Sequence, residues 1–398
     1  MFKILQYPIQ LSILVLFFLT FFGTVNIPNT IRLILILPFV FIGIKRKYLF
    51  KWVIIWLLSG LIMSMISSFI FRGQDFLSSF KASPVILMIL FYFLICYIHP
   101  TVRNTEKSIA YLVLIFDVIY IFQYLLYQKG IVFLPMNEDI LRSEGEDVRF
   151  RMIGSGLSSL GIFLGATKYM VLKEKKWLAI MCLSLIVILL MAFRTMIAFS
   201  VLFLFFLVLK IKGFKRESLC IFAGAAIIAF LLLQIPVIYD KVGYMWDKQF
   251  GENAETLSNK DYIRNVTLYY YLFDYFKSPV EYFFGTGLSI PGTSQYKTLE
   301  YLGSMGIIYL DWGLLGLSWM IGVIPVLCMI IYSVRSFQLK VNPQYYYVGF
   351  WFLYLIVSSI TTAEFFREGN FVVQAICLYM VEMTHKQYQY ENRNTYIS

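Results

Sequence analysis

A chain of 398 residues that is 60% hydrophobic and only 14% charged lies outside the range of soluble domains. Its mean hydropathy of +0.73 and 19% aromatic content mark a polytopic membrane protein. The net charge of +11 does not argue for a nucleic-acid partner, because the lysines and arginines stand in short groups between apolar runs rather than along one face.

Leu5 to Phe22 is long for a cleaved leader and lacks a small-residue cleavage site, so it reads as the first span. With roughly 20 apolar residues needed per crossing, spans are expected near 4–22, 28–44, 52–70, 83–98, 109–127, 153–172, 177–193, 195–209, 218–238, 305–333, 345–362 and 371–384. That predicts an all-α polytopic integral membrane protein of about twelve transmembrane helices. The whole chain, 1–398, forms one transmembrane domain, and 239–304 is a large extracytoplasmic loop within it.

Orientation follows from the connections. With both termini cytoplasmic, one side receives Lys45, Arg46, Lys47 and Lys51, then Lys173, Lys175 and Lys176, then Lys210, Lys212, Lys215 and Arg216. The other side receives Asp75, Glu138 to Asp147, the stretch from Asp240 and Glu364 to Glu368, which are acidic or mixed. The five cysteines all fall in apolar segments without CxxC or Cys/His spacing, so no disulfide framework or zinc site is indicated. No period of 20–50 residues is evident.

Asp240 to Gly316 is the one long polar stretch, and polar backbone at that density cannot lie in lipid. Around it, three places bring cations to the membrane surface. Arg149 and Arg151 enter the sixth span as RFRMIGSGLSSLG, Arg194 sits in the apolar hairpin LLMAFRTMIAF, and Arg264 lies in KDYIRNVTLYYYLFDYF. Each has an ordinary reading, snorkelling to headgroups or pairing with a loop acid. Each also offers paired donors to a phosphate or pyrophosphate.

Gly285 and Gly287 stand in a tight turn, SPVEYFFGTGLS, before membrane re-entry. Glu281, Glu300 and Asp311 are carboxylates near the returning helix, as structural hydrogen-bonded acids or as substrate-binding ones. Asp117, deep in YLVLIFDVIYIF, either pairs with a buried Arg or hydroxyl or belongs to a proton pathway. Arg32 and Lys168 lie near span ends and are expected to snorkel. HExxH, DxD and GxxxxGK[ST] are absent, and His99 and His385 both fall on the cytoplasmic side, so neither a metal site nor a cofactor is expected. A reaction at the outer face must then use energy stored in its substrate.

These parts, in this order, resemble the O-antigen polymerase and ligase superfamily, and in particular the Wzy-type oligosaccharide repeat-unit polymerases of bacterial surface polysaccharide assembly. The matching elements are Arg151 with Gly154 at a span head, Arg194 in its hairpin, and Arg264 in the long loop. The match continues through Ser278, Pro279, Gly285 and Gly287 to GIIYLDWGLLGL with Asp311, Gly313 and Gly316. The resemblance implies a GT-C-like, metal-independent inverting glycosyltransferase of the bacterial inner membrane, acting on undecaprenyl-pyrophosphate-linked oligosaccharides at the extracytoplasmic face. It implies Arg194 and Arg264 as stabilisers of the departing diphosphate, with Arg149, Arg151, Gly285 and Gly287 binding substrate and Asp311 or Glu300 serving the acceptor hydroxyl. Membrane lipid, a chain-length regulator and a flippase are the implied partners, with no nucleic acid among them. The ligase branch usually carries a histidine in the outer loop and this loop has none, which favours polymerisation over transfer to a lipid A core. A lipid-linked oligosaccharide flippase, and a transporter using Asp117 as its proton site, are the readings from other classes.

Overall fold

The computed structural model of the protein describes residues 3–19, 29–127, 129–132, 141–144, 147–150, 152–191, 193–215, 234, 239, 243 and 262–395. The expected span 218–238 and most of the loop from 239 to 261 lie outside the described residues.

The first half of the chain runs α1 (Pro8–Leu19), α2 (Asn29–Ile44), α3 (Lys51–Ser67) with a π-helical turn to Arg72, α4 (Phe76–Ala82), α5 (Pro84–Ile98) and α6 (Val102–Tyr127). Asp75 caps α4 by accepting the Ser78 N–H at 2.8 Å, which holds its carboxyl below the usual range. Next comes the one departure from helix among the described residues, an antiparallel hairpin of β1 (Leu141–Glu144) and β2 (Asp147–Phe150) that pairs Arg142 with Arg149. Three helices follow: α7 (Gly156–Leu172), α8 (Lys175–Met191) and α9 (Arg194–Lys212). Beyond the long polar stretch lie α10 (Ile263–Tyr269), α11 (Pro279–Phe284), α12 (Ser294–Ser304), α13 (Gly313–Ile321), α14 (Val323–Gln338), α15 (Tyr346–Ser358) and α16 (Asn370–Thr395).

Lys51–Arg72, Val102–Tyr127 and Arg194–Lys212 are long and apolar enough to cross a membrane. Two bent pairs, Phe76–Ala82 with Pro84–Ile98 (58°) and Ser294–Ser304 with Tyr309–Ile321 (77°), raise that to five among the described residues if each is one span. α1, α2, α7 and α14 are shorter apolar helices.

The largest difference from expectation is at 305–333, read as one span. The chain there makes a 3-10 turn at Tyr309–Trp312, then α13, then breaks at Gly322 before α14. Gly322 has φ +86°, a left-handed conformation that an L side chain rarely adopts. The break leaves the carbonyls of Trp319 and Met320 without helical partners, as at any helix end. The N–H groups of Thr286 and Gly287 supply them, at 3.0 and 2.7 Å. A contact from distant sequence thus interrupts a run whose hydropathy is continuous.

α16 ties the two ends of the helical body together. It begins where the Asn370 amide oxygen accepts the Gly156 N–H at the start of α7, and farther along its Glu382 accepts the Leu49 N–H. At that second end Lys168 is not snorkelling but buried, 2.7 Å from Glu106 and 4.7 Å over the Tyr345 ring. Arg32 is likewise buried at 3% exposure, with its guanidinium 5.6 Å over the Phe17 ring. Both were expected at the lipid surface; partners from other helices draw them in. The Leu49 end also carries the basic groups at the close of α2, the start of α3, the α7–α8 turn and the close of α9.

Candidate functional site

The opposite end, where α7, α9 and α16 start, is the candidate site. After α15 the chain turns through Ser359 to Gly369, and Ser359 anchors that turn twice: its carbonyl accepts the Leu314 N–H at 2.8 Å and its hydroxyl accepts the Phe365 N–H at 2.7 Å. Glu364 follows in a 3-10 turn, fully buried, with Arg367 one turn later. Their contact, Nη1 to Oε2, is 2.9 Å.

Arg367 is built into a small cup. Its Nη1 donates to the Ser155 hydroxyl at 3.3 Å and approaches the Met196 sulfur at 3.9 Å. Its guanidinium carbon lies 4.8 Å over the Phe193 ring. Phe193 immediately precedes Arg194, which is half-buried as the first residue of α9. Ser155 precedes α7, and the Gly154 N–H donates to the Glu368 carbonyl at 3.1 Å. The Glu368 carboxylate in turn acts electrostatically on Arg32. Four segments far apart in sequence therefore meet at one rim, with Arg32, Arg194 and Arg367 on it.

A second part of this end holds Arg264 and Asp311. The Trp312 indole N–H donates to the Arg264 carbonyl at 2.9 Å, fixing α10 against the 3-10 turn that contains half-buried Asp311. Gly313, next in the chain, packs so closely that a Cβ would lie 1.9 Å from the Ser359 carbonyl oxygen. The Arg264 segment and the Arg367 turn are thus joined through Trp312, Gly313, Leu314 and Ser359. Glu300 stands apart, exposed on α12.

The third part was not foreseen. Arg72, at the end of the π-helical turn, donates from Nε and Nη2 to both oxygens of Glu281 (2.6 and 3.1 Å) and from Nη2 to the Tyr275 carbonyl (2.7 Å). Its guanidinium stacks 4.5 Å over the Tyr275 ring. The Lys277 N–H also donates to Glu281, which is fully buried. Beside this pair Gln295 donates to the Thr286 hydroxyl and the Gly287 carbonyl, and accepts from Ser68.

Gly285 and Gly287 belong to this seam. Both have positive φ, and a Cβ would lie 2.4 Å from the Gly322 nitrogen at the first and 2.5 Å from Ser68 Cβ at the second. Arg149 lies in β2, nothing further being described for its side chain, and Arg151 lies outside the described residues. Asp117 is fully buried with the hydroxyls of Ser158 and Ser184 each donating to it at 2.5 Å, the hydroxyl pairing that was one of its two expected settings. Among the described residues no group of three His, Cys, Asp or Glu side chains is arranged to hold a metal ion.

Arg367 and Arg72 are the residues that sequence reasoning missed. Each had a signal: AEFFREGN sets an acid and an arginine three apart, and Arg72 is followed by a glycine at the end of an apolar run. Comparisons with known proteins find no matching family model, no matching curated protein and no matching solved structure. What the site does is therefore argued from its own chemistry.

Proposed function

We propose that this protein is a membrane-embedded glycosyltransferase that polymerises lipid-linked oligosaccharide repeat units, built as about twelve spans on a GT-C-like plan. A hydroxyl of the incoming repeat unit attacks the anomeric carbon of the growing chain. As that C–O bond forms, the bond from the anomeric carbon to the lipid diphosphate breaks, its electron pair leaves with the diphosphate, and a carboxylate accepts the hydroxyl proton. No metal enters this scheme.

The observation that carries the proposal is that Arg194 opens α9 at the rim that also holds Ser155 and Gly154, where the Arg367 guanidinium lies over the ring of the preceding residue, Phe193. Cationic groups fixed before the reaction stabilise a charge that grows on the leaving group, and they need no rearrangement at the moment of transfer. Asp311 is the better candidate for the acceptor hydroxyl, since it neighbours Trp312, which holds the Arg264 segment, whereas Glu300 lies out on an exposed helix face. The basic groups at the opposite end of the helical body fit that end to the cytoplasm, leaving the arginine rim extracytoplasmic in a bacterial inner membrane.

The test is replacement of Arg194 and of Arg264 by Ala in cells that make the polymer. Surface polysaccharide shortened to a single repeat, with the protein still in the membrane, is the expected result. A full-length ladder with both replaced refutes the proposal.

A further inference from the structure

The two arginine–glutamate pairs at the rim differ in how much of the guanidinium they use. Arg72 commits Nε and Nη2 to Glu281 and Nη2 again to the Tyr275 carbonyl. Arg367 directs its ion pair and its hydrogen bonds through Nη1 alone, to Glu364 and Ser155. Among the described residues its Nε and Nη2 donate to nothing, although the side chain is only 14% exposed. A guanidinium edge with two parallel donors, stacked on an aromatic ring and left open, matches the paired oxygens of a phosphate.

Glu364 holds the guanidinium without occupying that edge. It is fully buried, and neither carboxylate oxygen has a hydrogen-bond partner among the described residues. The 2.9 Å approach of Nη1 is a charge contact off the hydrogen-bond line. Tyr354, buried nearby, feels the charges of both Glu364 and Arg367. The ion pair thus fixes the cation in place while leaving its two-donor edge, the part that recognises an anion, to a ligand.

We propose that Arg367 is a further anion-binding residue that grips a lipid-linked diphosphate through its Nε/Nη2 edge, alongside Arg194, while Glu364 and Ser155 hold the guanidinium in place. The lipid diphosphate as ligand rests on the polymerase reading above; the phosphate chemistry rests on Arg367 itself.

The experiment uses the full chain in phosphatidylcholine nanodiscs, titrated with farnesyl diphosphate as the probe. Arg367→Lys keeps the charge and the pairing with Glu364 but loses the fork, so it should fold with an unchanged thermal midpoint and bind the probe roughly tenfold more weakly. Arg367→Ala should weaken binding further. Inorganic pyrophosphate should compete with the probe. No binding by the wild-type protein, or wild-type affinity in a folded Arg367→Lys, overturns the proposal. Displacement by phosphatidylglycerol but not by pyrophosphate also overturns it, since the site would then take an ordinary phospholipid headgroup. The two readings fail separately. A polysaccharide ladder lost with Arg194→Ala but normal probe binding in Arg367→Lys sinks this inference alone, whereas an intact ladder in Arg194→Ala/Arg264→Ala cells with weakened probe binding in Arg367→Lys sinks only the polymerase.

Discussion

Arg72–Glu281 and Arg367–Glu364 are the same two residue types at the same end of the molecule, and they are put to different uses. In the first pair the partners come from distant segments, the carboxylate is bidentate, and the backbone N–H of Lys277 completes it. In the second the partners are three residues apart on one turn, share a single nitrogen, and leave donors and acceptors open. The first arrangement is a clasp between the π-helical end of α3 and the α10–α11 segment, and it occupies the Nε/Nη2 edge, the one with two parallel donors, with Glu281 and the Tyr275 carbonyl. The second spends little on the fold and keeps its recognition edge. Exposure does not separate the two, since the arginines are 10% and 14% exposed; the inventory of donors does.

The comparison is most exposed at Arg72. Arg72→Met strands the buried Glu281 carboxylate and should cost roughly 3–5 kcal/mol, read by chemical unfolding of the purified protein. Adding Glu281→Leu should recover much of that loss; near wild-type stability in Arg72→Met would mean the clasp holds nothing. Gly285→Ala attacks the same seam from its backbone, because the new Cβ would fall 2.4 Å from the Met320 carbonyl oxygen at a φ of +78°. A loss of about 2–3 kcal/mol is expected there, seen as a lowered unfolding midpoint.

The other pair should behave oppositely. Arg367→Lys is expected to change stability by less than about 1 kcal/mol while its effect appears in ligand affinity. Glu364→Gln removes a negative charge facing the anion yet keeps the shape of the side chain, so diphosphate binding should tighten roughly two- to fivefold in the same titration. Weaker binding in that variant would mean that the Glu364 charge is needed to hold the Arg367 guanidinium in place.

The smallest effect lies far from both pairs. Asn342 and Gln387 donate to Glu391, and these hydrogen bonds hold its carboxyl below the usual range. Stabilisation from a lowered carboxyl is complete above its unfolded value and lost as pH falls through the folded one. Amide exchange near Glu391 should therefore quicken in the wild type as pH falls below the ordinary glutamate value, and Asn342→Ala should lessen that dependence.

Much of the helical body is legible in the sequence, because length and hydropathy alone define α2, α3, α6 and α9. The break at Gly322 is not, since it lies in an unbroken apolar run and depends on Thr286 and Gly287 reaching the carbonyls of Trp319 and Met320. Lys168 near the end of an apolar stretch looks like a snorkelling lysine until Glu106 is brought beside it from α6. Arg194 stood out because it was alone among apolar residues. Arg367 does not, because it lies among acids in a mixed loop, and what sets it apart is the count of its donors in the structure.

The indole hook from Trp312 to the Arg264 carbonyl has one more consequence. Arg264 is held from its downstream side, by a residue within the helical body. Changes of chain length before Tyr262 should then leave Arg264 beside Trp312, since closing a loop of twice the length costs only about 0.6 kcal/mol more. Evolution could vary the length of chain before Tyr262 while the indole keeps Arg264 next to the turn that carries Asp311.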